Sequence, residues 1–286
     1  MASTYDLLDF GNGRRLEQWG QYRLIRPDPT TSKHAPRKPE FWESADAVYQ
    51  GEKGRGEWVM KRTIPEHWTV AFQDLSVIAR LAPYKHTGIF PEQEQNWRWM
   101  RDEARNAKVS LKILNLFAYT GGATVALAKD GHFVTHVDAA RPSIGWAKEN
   151  AALNNIGADR IRWMLEDAPA FAAKELKRGK RYDAILLDPP AYGHGPTGKT
   201  WRVERDLAPL LEICAKLLSD SPVFLVLNGY AQNAMPESFR RLLSGILFAT
   251  VKRPFTVETE PLVLRTAGAR TLETGIVARV RFRNKK

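Results

Sequence analysis

Cysteine is almost absent, with Cys214 the single one among 286 residues. That excludes an intramolecular disulfide framework and any multi-cysteine zinc site, and it points to a reducing compartment. Long apolar runs are missing as well. No segment approaches the ~18 consecutive apolar residues of a membrane span, and the opening MASTYDLLDFGNGRRLEQWG has no apolar stretch behind basic residues. A soluble, cytoplasmic protein with no membrane partner is expected. Internal repeats and low-complexity segments are also lacking. His67, His86, His132 and His136 form no spaced metal set, so no metal is expected. Nothing in the sequence bears on oligomeric state.

What is present is an ordinary globular composition, 43% apolar, with an excess of cations that gives a formal charge of +11. The excess is uneven. Residues 1–110 hold 17 basic and 15 acidic side chains, a balance of +2, which leaves +9 for residues 111–286. Such a surplus favours polyanionic partners, RNA among them, but serves plain solubility equally well.

The chain changes character along its length. Residues 1–84 are rich in turn residues and tryptophan, with short extended runs at 22–25, 58–61 and 68–72, and read as a small β-rich appendage. EQEQNWRWMRDEARN, residues 92–106, lacks glycine and proline and predicts a helix. From residue 111 short apolar strands (111–117, 133–138, 160–165, 182–188, 223–228) alternate with amphipathic stretches (122–129, 143–154, 169–178, 203–218, 236–243). That alternation implies right-handed βαβ units and a doubly wound, mostly parallel α/β sheet over residues 85–286. LFATVKR (247–253) and TGIVARVRF (274–282) predict a final antiparallel edge pair.

In such a sheet the ligand lies beyond the carboxyl ends of the strands, so the residues following each strand are the informative ones. Gly121 and Gly122 end the run NLFAYTGGA (115–123), where they either let the backbone approach a ligand or simply make a tight turn. Asp138 ends the second strand about twenty residues later, where an acid binds a ribose in nucleoside-binding sheets. The glycines do not form G-x-G-x-x-G, and no phosphate-loop Lys follows, which argues against NAD, FAD and ATP. Glu166 and Asp167 follow the third strand, positioned to accept from an exocyclic amine or, for Asp167, to cap the next helix. Asp188-Pro189-Pro190-Ala191-Tyr192 follows the fourth, a stiff loop that holds carbonyls and a carboxylate toward the crevice.

The series NLFAYTGGA, VTHVDAA, LEDAPAF and LLDPPAYG resembles the four cofactor motifs of class I S-adenosylmethionine-dependent methyltransferases. It is most similar to bacterial large-subunit (23S) ribosomal RNA methyltransferases acting on cytosine C5 or guanine N7. KHTGIFPEQEQNW (85–97) resembles that group's G-x-F-x-D-Q-R-x-N-R segment, with Glu92 in place of Asp and Glu94 and Trp97 in place of the two arginines. The resemblance implies S-adenosyl-L-methionine as cofactor. Asn115, Phe117, Ala118, Tyr119, Thr120, Gly121 and Gly122 would wrap its methionine part, Asp138 and Ala139 its ribose, and Asp167 its adenine amine. Asp188, Pro189, Pro190 and Tyr192 would border the methyl group and the acceptor, with Asp188 touching both.

Cytosine C5 chemistry needs a thiolate nucleophile. Cys214 lies on the apolar stripe of a helical segment, and the strand end where that branch carries its cysteine reads Asn228-Gly229-Tyr230, so a nitrogen acceptor is expected. Tyr192 would stack on an unpaired base, while His194, Lys199, Trp201 and Arg202 would grip phosphates or merely solvate a helix start. The nine basic residues from Lys252 onward either track RNA or keep an edge strand soluble. The reading is an RNA methyltransferase acting on ribosomal RNA. A small-molecule or protein methyltransferase, or a noncatalytic RNA-binding assembly factor on this fold, are the alternatives.

Overall fold

A computed structural model describes residues 4–52, 55–194, 200–230 and 236–283 of the chain. It divides into two compact units: residues 1–94 with 263–274, and residues 95–262 with 275–286. The sequence reading drew its boundary after residue 84 and kept the C-terminal strand pair with the sheet. The tip of that pair instead groups with the first unit.

The first unit holds β1 (Tyr5–Gly11), β2 (Arg14–Trp19), β3 (Tyr22–Pro27), the short α1 (Pro39–Glu43), β4 (Ala47–Glu52) and β5 (Arg55–Met60), and these five strands form one sheet in sequence order. Asn12 and Gly13, both at positive φ, make the β1–β2 turn, the Asn-Gly signature of a tight hairpin. A second hairpin pairs β6 (Trp68–Phe72) with β7 (Leu75–Ala79). Trp19, Phe10, Leu16 and Leu24 are buried in the unit's core. Leu264 and Leu272 pack on Leu7 and Phe10, and the Arg270 guanidinium meets the buried Asp9 carboxylate at 2.5 Å.

This unit also buries charge. Arg26 makes a two-pronged contact with Glu17, Nε to Oε2 at 2.6 Å and Nη2 to Oε1 at 2.8 Å, and the Tyr5 hydroxyl donates to Glu17 Oε1 at 2.9 Å. Burial by itself would raise the Glu17 carboxyl. The Arg15 and Arg26 guanidinium groups, with the bonds from Arg26 and Tyr5, outweigh it and hold the carboxyl at about 2. Glu92, the residue standing where the resembled motif has Asp, is buried nearby in the field of Arg15, and burial raises its carboxyl.

The second unit begins with α2 (Glu94–Asn106), then alternates β8 (Lys112–Leu116), α3 (Gly122–Lys129), β9 (Phe133–Asp138), α4 (Arg141–Leu153), β10 (Ile161–Leu165), α5 (Ala168–Lys177) and β11 (Ala184–Leu187). A small hairpin, β12 (Tyr192–His194) with β13 (Thr200–Arg202), precedes α6 (Val203–Leu217), β14 (Phe224–Gly229) and α7 (Pro236–Thr250). The chain closes with β15 (Phe255–Arg265) and β16 (Thr271–Phe282). The sheet order is β10-β9-β8-β11-β14-β16-β15. β8 to β11 and β14 run parallel and β16 antiparallel to β14, the doubly wound sheet with an antiparallel edge that the alternation predicts. β8, β11 and β14 are mostly apolar and, Lys112 apart, buried because helices cover both faces of a parallel sheet.

One expected element is overturned. Residues 247–253 are not a strand: α7 runs on to Thr250, and the edge strand is β15. Leu243 and Leu247 sit one helical turn apart on the buried face of α7, with Leu242 and Ile246 beside them. An apolar run of four residues satisfies helix and strand alike, and this face decides for helix. No helix among the described residues is long and apolar enough to cross a membrane.

The buried Glu17–Arg26 pair generates a prediction. Glu17→Gln leaves the Arg26 charge uncompensated inside the unit and should destabilise folding by about 3–5 kcal/mol, measured by urea unfolding at neutral pH. Because the folded carboxyl lies below its ordinary 4.5, its contribution is present above that pH and lost as pH falls toward 2. The glutamine variant should therefore show a flatter acid limb than the native chain.

Candidate functional site

The carboxyl ends of β8, β9, β10 and β11 lie side by side, and each delivers the residues singled out in the sequence. After β8 the backbone enters a tight loop in which Phe117, Tyr119 and Gly121 all have positive φ (57°, 49° and 82°). The loop is tied down from below. Ala118 N donates to Val137 O at 3.0 Å, and Tyr119 N donates to Asp138 Oδ2 at 2.8 Å. The other Asp138 oxygen accepts from Ala140 N at 2.8 Å. Burial raises the Asp138 carboxyl, against the bonds from Ala140, Tyr119 and Ala139 that lower it.

The glycine pair is required by packing. A Cβ on Gly122 would fall 2.4 Å from the Trp97 ring, and one on Gly121 would fall 3.0 Å from Ala147 Cβ. The tight-turn reading thus accounts for both residues, and the loop can approach a ligand only because α2 and α4 come up this closely underneath. Thr120 is buried, and its carbonyl accepts from Asn150 Nδ2 at 2.9 Å.

Asn115 departs from the expectation that its side chain simply wraps the cofactor. The residue is buried, and its amide nitrogen turns inward to Thr124 Oγ1 at 2.9 Å. Thr124 Oγ1 in turn lies 3.0 Å from Nδ1 of the fully buried His136. Neither Thr124 nor His136 carries a sequence signal, since a buried threonine and histidine in apolar elements read as core.

After β10, Asp167 is the N-cap of α5, accepting from Ala170 N through Oδ1 at 3.1 Å. Its Oδ2 has no protein partner among the described residues. Glu166 is tied to Lys174 at 2.6 Å. A cavity of about 290 Å³ opens beside Asp167 between the starts of α5 and α6, walled by Pro169, Ala170, Trp201, Leu210 and Ile213. That is near the lower end of the roughly 300–1,000 Å³ range of small-ligand pockets.

After β11, Pro189 is buried and Pro190 and Tyr192 are exposed, Tyr192 by 53%. Trp201 Nε1 donates to the Pro190 carbonyl at 2.7 Å, and the Trp201 ring lies 4.9 Å from that of Phe117. With 4% exposure, Trp201 is a brace for the proline loop, which corrects its expected place among the substrate-gripping residues: its ring is spent on Phe117 and its N–H on Pro190. Arg202 is exposed, its backbone N–H capped by Asp206 Oδ2 at 2.8 Å. Lys199 and the His194 side chain lie outside the described residues.

At the end of β14, Asn228 is buried and accepts from Asn96 Nδ2 at 2.9 Å, while Arg279 Nη2 donates to Asn96 Oδ1 at 2.6 Å. These residues fill the strand end where a cytosine C5 enzyme would carry its cysteine. Cys214 is wholly buried in α6, where burial pushes its thiol far up, so it supplies no nucleophile. Among the described residues no group of three or more His, Cys, Asp or Glu could hold a metal ion.

The basic C-terminal run is largely consumed by the fold. Arg253 donates to Asp220 O and Ser221 Oγ, Arg265 to Thr271, Arg270 to Asp9, Arg279 to Glu260 and Asn96, and Arg281 to Glu103 and Glu258. Lys285 and Lys286 lie outside the described residues.

The residues fit an adenosyl-amino-acid ligand. Asp138 is a desolvated carboxylate with a lone pair left on each oxygen for ribose hydroxyls, Asp167 offers Oδ2 beside an apolar cavity, and α3 follows Gly121 as its N-cap with no side-chain cap over its first N–H groups. A family model for S-adenosylmethionine-dependent methyltransferases matches residues 47–227. The ribosomal RNA large subunit methyltransferase K/L of Syntrophotalea carbinolica is 29% identical over 212 residues, covering 73% of this chain and 29% of the relative. That of Shewanella sp. strain MR-4 is 31% identical over 192 residues, covering 64% and 22%. The chain thus spans about a quarter of the length of these curated relatives. The crystal structure of a SAM-dependent methyltransferase from Agrobacterium tumefaciens superposes with a TM-score of 0.92 at 36% identity, covering 98% of this chain and 91% of that one.

The Gly122–Trp97 contact is directly testable. Gly122→Ala should destabilise the unit by about 1–3 kcal/mol through overpacking. Adding Trp97→Leu should recover most of that loss, which a double-mutant cycle in urea will read.

Proposed function

Because the chain belongs to the S-adenosylmethionine-dependent methyltransferases, we propose that it methylates a base nitrogen of RNA, with ribosomal RNA the substrate class that its relatives' names suggest. The observation that carries the acceptor reading is the geometry after β11. A rigid Asp188-Pro189-Pro190 turn ends in the exposed ring of Tyr192, a platform on which an unpaired base can stack. The +11 charge supports a polyanionic substrate, and burial of Cys214 supports direct transfer without a covalent enzyme intermediate. A single thiol kept reduced suits the cytoplasm.

When bound, S-adenosylmethionine supplies an electrophilic methyl group on its sulfonium sulfur. The chain's part is alignment and exclusion of water. Phe117 to Gly122 hold the methionine portion, Asp138 and Ala139 the ribose, and Asp167 the adenine amine through the carboxylate oxygen that its capping bond leaves over. The Pro190 carbonyl is committed to Trp201. The Asp188 carboxylate, whose Oδ1 is buried without a hydrogen-bond partner among the described residues, and the Pro189 carbonyl would accept hydrogen bonds from the acceptor amine and aim its lone pair at the methyl carbon. The Asp188 carboxylate then takes the proton that the methylated nitrogen releases. Pro189 and Pro190 act by stiffness, and the exposed Arg202 would meet phosphates of the same strand.

Incubation with tritiated S-adenosylmethionine and total RNA from a strain lacking the protein should label RNA. Label in protein or small-molecule fractions instead would overturn the RNA assignment. In the same assay Asp188→Ala should lower turnover by about 10²-fold or more while cofactor affinity, measured by calorimetry, changes far less. The reverse pattern would make Asp188 a cofactor-binding residue only.

A further inference from the structure

From Lys174 to Arg181 the chain reads KELKRGKR, with five basic residues and one acid. Lys174 and Lys177 lie in the last turn of α5, where cations suit the helix end, and Arg178 is its C-cap. Lys180 and Arg181 lie beyond the helix, whose end is closed without their side chains. Gly179 takes a φ of 69°, its N–H donates to Leu176 O at 3.0 Å, and the Lys180 N–H donates to Glu175 O at 3.0 Å. That pair of bonds is the Schellman ending, and it fixes the backbone that carries Lys177, Arg178, Lys180 and Arg181. The single acid of the stretch is wholly buried. Glu175 Oε2 accepts from the Tyr182 hydroxyl at 2.7 Å and from Arg162 Nη1 at 2.9 Å, while Oε1 accepts from Arg178 Nη1 at 3.1 Å and Arg162 Nη2 at 3.4 Å. Burial by itself would raise this carboxyl. The bonds from Tyr182, Arg162 and Arg178 outweigh it and hold the group below its ordinary range, so it is charged at neutral pH.

Two guanidinium groups therefore share one carboxylate, and one positive charge is left over. Arg162 and Arg178 keep 44% and 55% of their side-chain surface exposed, and Arg162 also lies over the Phe171 ring at 5.4 Å. The pair presents planar N–H forks, already held in place, of the kind that fits phosphate oxygens. Lys177, Lys180 and Arg181 beside them are exposed and make no ion pair among the described residues, whereas Lys174 is taken by Glu166. The end of α6 joins the same turn, with Tyr182 N donating to Leu217 O at 2.9 Å and Ser219 N to Tyr182 O at 2.8 Å. That brings the exposed Lys216 alongside, with one exposed acid, Asp220, after Ser219. We propose that this end of α5, with Arg162 and Arg178 at its centre and Lys177, Lys180 and Arg181 at its rim, is a second RNA-contact surface that binds backbone phosphates. It rests on the RNA reading above and adds to it a place away from the crevice. α5 runs from Asp167 at the crevice to Arg178, about 16 Å at the helical rise, so the phosphates bound here belong to nucleotides other than the one methylated. Phosphate contacts fix register without reading sequence. The surface thus supplies affinity for a large folded RNA and leaves the transfer step alone.

The experiment titrates the full chain with large-subunit ribosomal RNA transcribed in vitro, by fluorescence anisotropy over a range of salt. Lys177→Ala, Lys180→Ala and Arg181→Ala combined should weaken binding about tenfold at low salt and flatten the logarithmic salt dependence by about 2 to 3. Arg178→Ala, in which Arg162 and Tyr182 still hold Glu175, should weaken it about threefold or more. A matched variant, Arg240→Ala, Arg241→Ala and Lys252→Ala combined, removes the same charge from exposed positions on α7 and just after it and should change binding less than about twofold. In the methylation assay the first triple variant should raise KM about tenfold with kcat changed less than about twofold. Unaltered binding and salt slope in that variant would overturn the proposal, and so would an equal loss in both triple variants, which is the mark of net charge alone. Urea midpoints within the native range show that the variants are folded. Polyglutamate should compete with the RNA poorly. Competition as strong as that of poly(U) would overturn the RNA assignment and make the surface a dock for acidic protein. Methyl label found only in protein would undo the RNA-methylation reading, while the titration would still decide whether this surface holds RNA.

Discussion

The Asp138 carboxylate is the constraint on which the site depends. One of its oxygens holds the Tyr119 N–H of the loop after β8, and the other holds the Ala140 N–H at the start of α4. Phe117 and Tyr119 sit in left-handed conformations that cost on the order of 1–3 kcal/mol each outside glycine. Such backbone persists only when something over-determines it. The carboxylate does so from one side, and Trp97, Ala147 and Asn150 do so from beneath. A group described by its affinity for a ribose is therefore also a clamp on the protein's own chain, and its partial desolvation serves both ends.

The same doubling recurs along the crevice. Asp167 caps α5 with one oxygen and lines an apolar cavity. Trp201 props the Pro190 carbonyl and packs on Phe117, so the loop after β8 and the proline turn after β11 share one support. These pairings explain why the structural and the functional readings of a strand-end acid are so hard to separate in a sequence. In this chain they are one arrangement seen from two sides.

Much of this was legible beforehand, and the boundary of legibility has physical causes. Continuous apolar strands between amphipathic helices declare a parallel sheet, and parallel sheets place ligands at carboxyl ends, so Asp138, Asp167 and Asp188 could be found by position alone. The helix α7 was read too short because Leu247 and Phe248 suit either period, and only packing against the core settles the matter. Trp201 looked like a surface aromatic among cations, yet the hairpin folds it inward. Asn96 and Asn228 are 132 residues apart and meet as two uncharged amides, which no local pattern marks. His136 matches no metal spacing, and nothing local in the sequence marks it as buried beneath the loop after β8.

The arginines of the C-terminal run carry a further meaning for the formal charge. Arg253, Arg265, Arg270, Arg279 and Arg281 already have oxygen partners inside the protein. A guanidinium paired with a carboxylate, as in Arg270, Arg279 and Arg281, displaces few counterions from a nucleic acid backbone, and it is counterion displacement that gives such binding its dependence on salt. The +11 of the sequence already counts each such ion pair as zero, so it describes the balance and not the places where an RNA would meet a cation. The effective valence of the surface belongs to the fewer cations that the fold has left uncommitted.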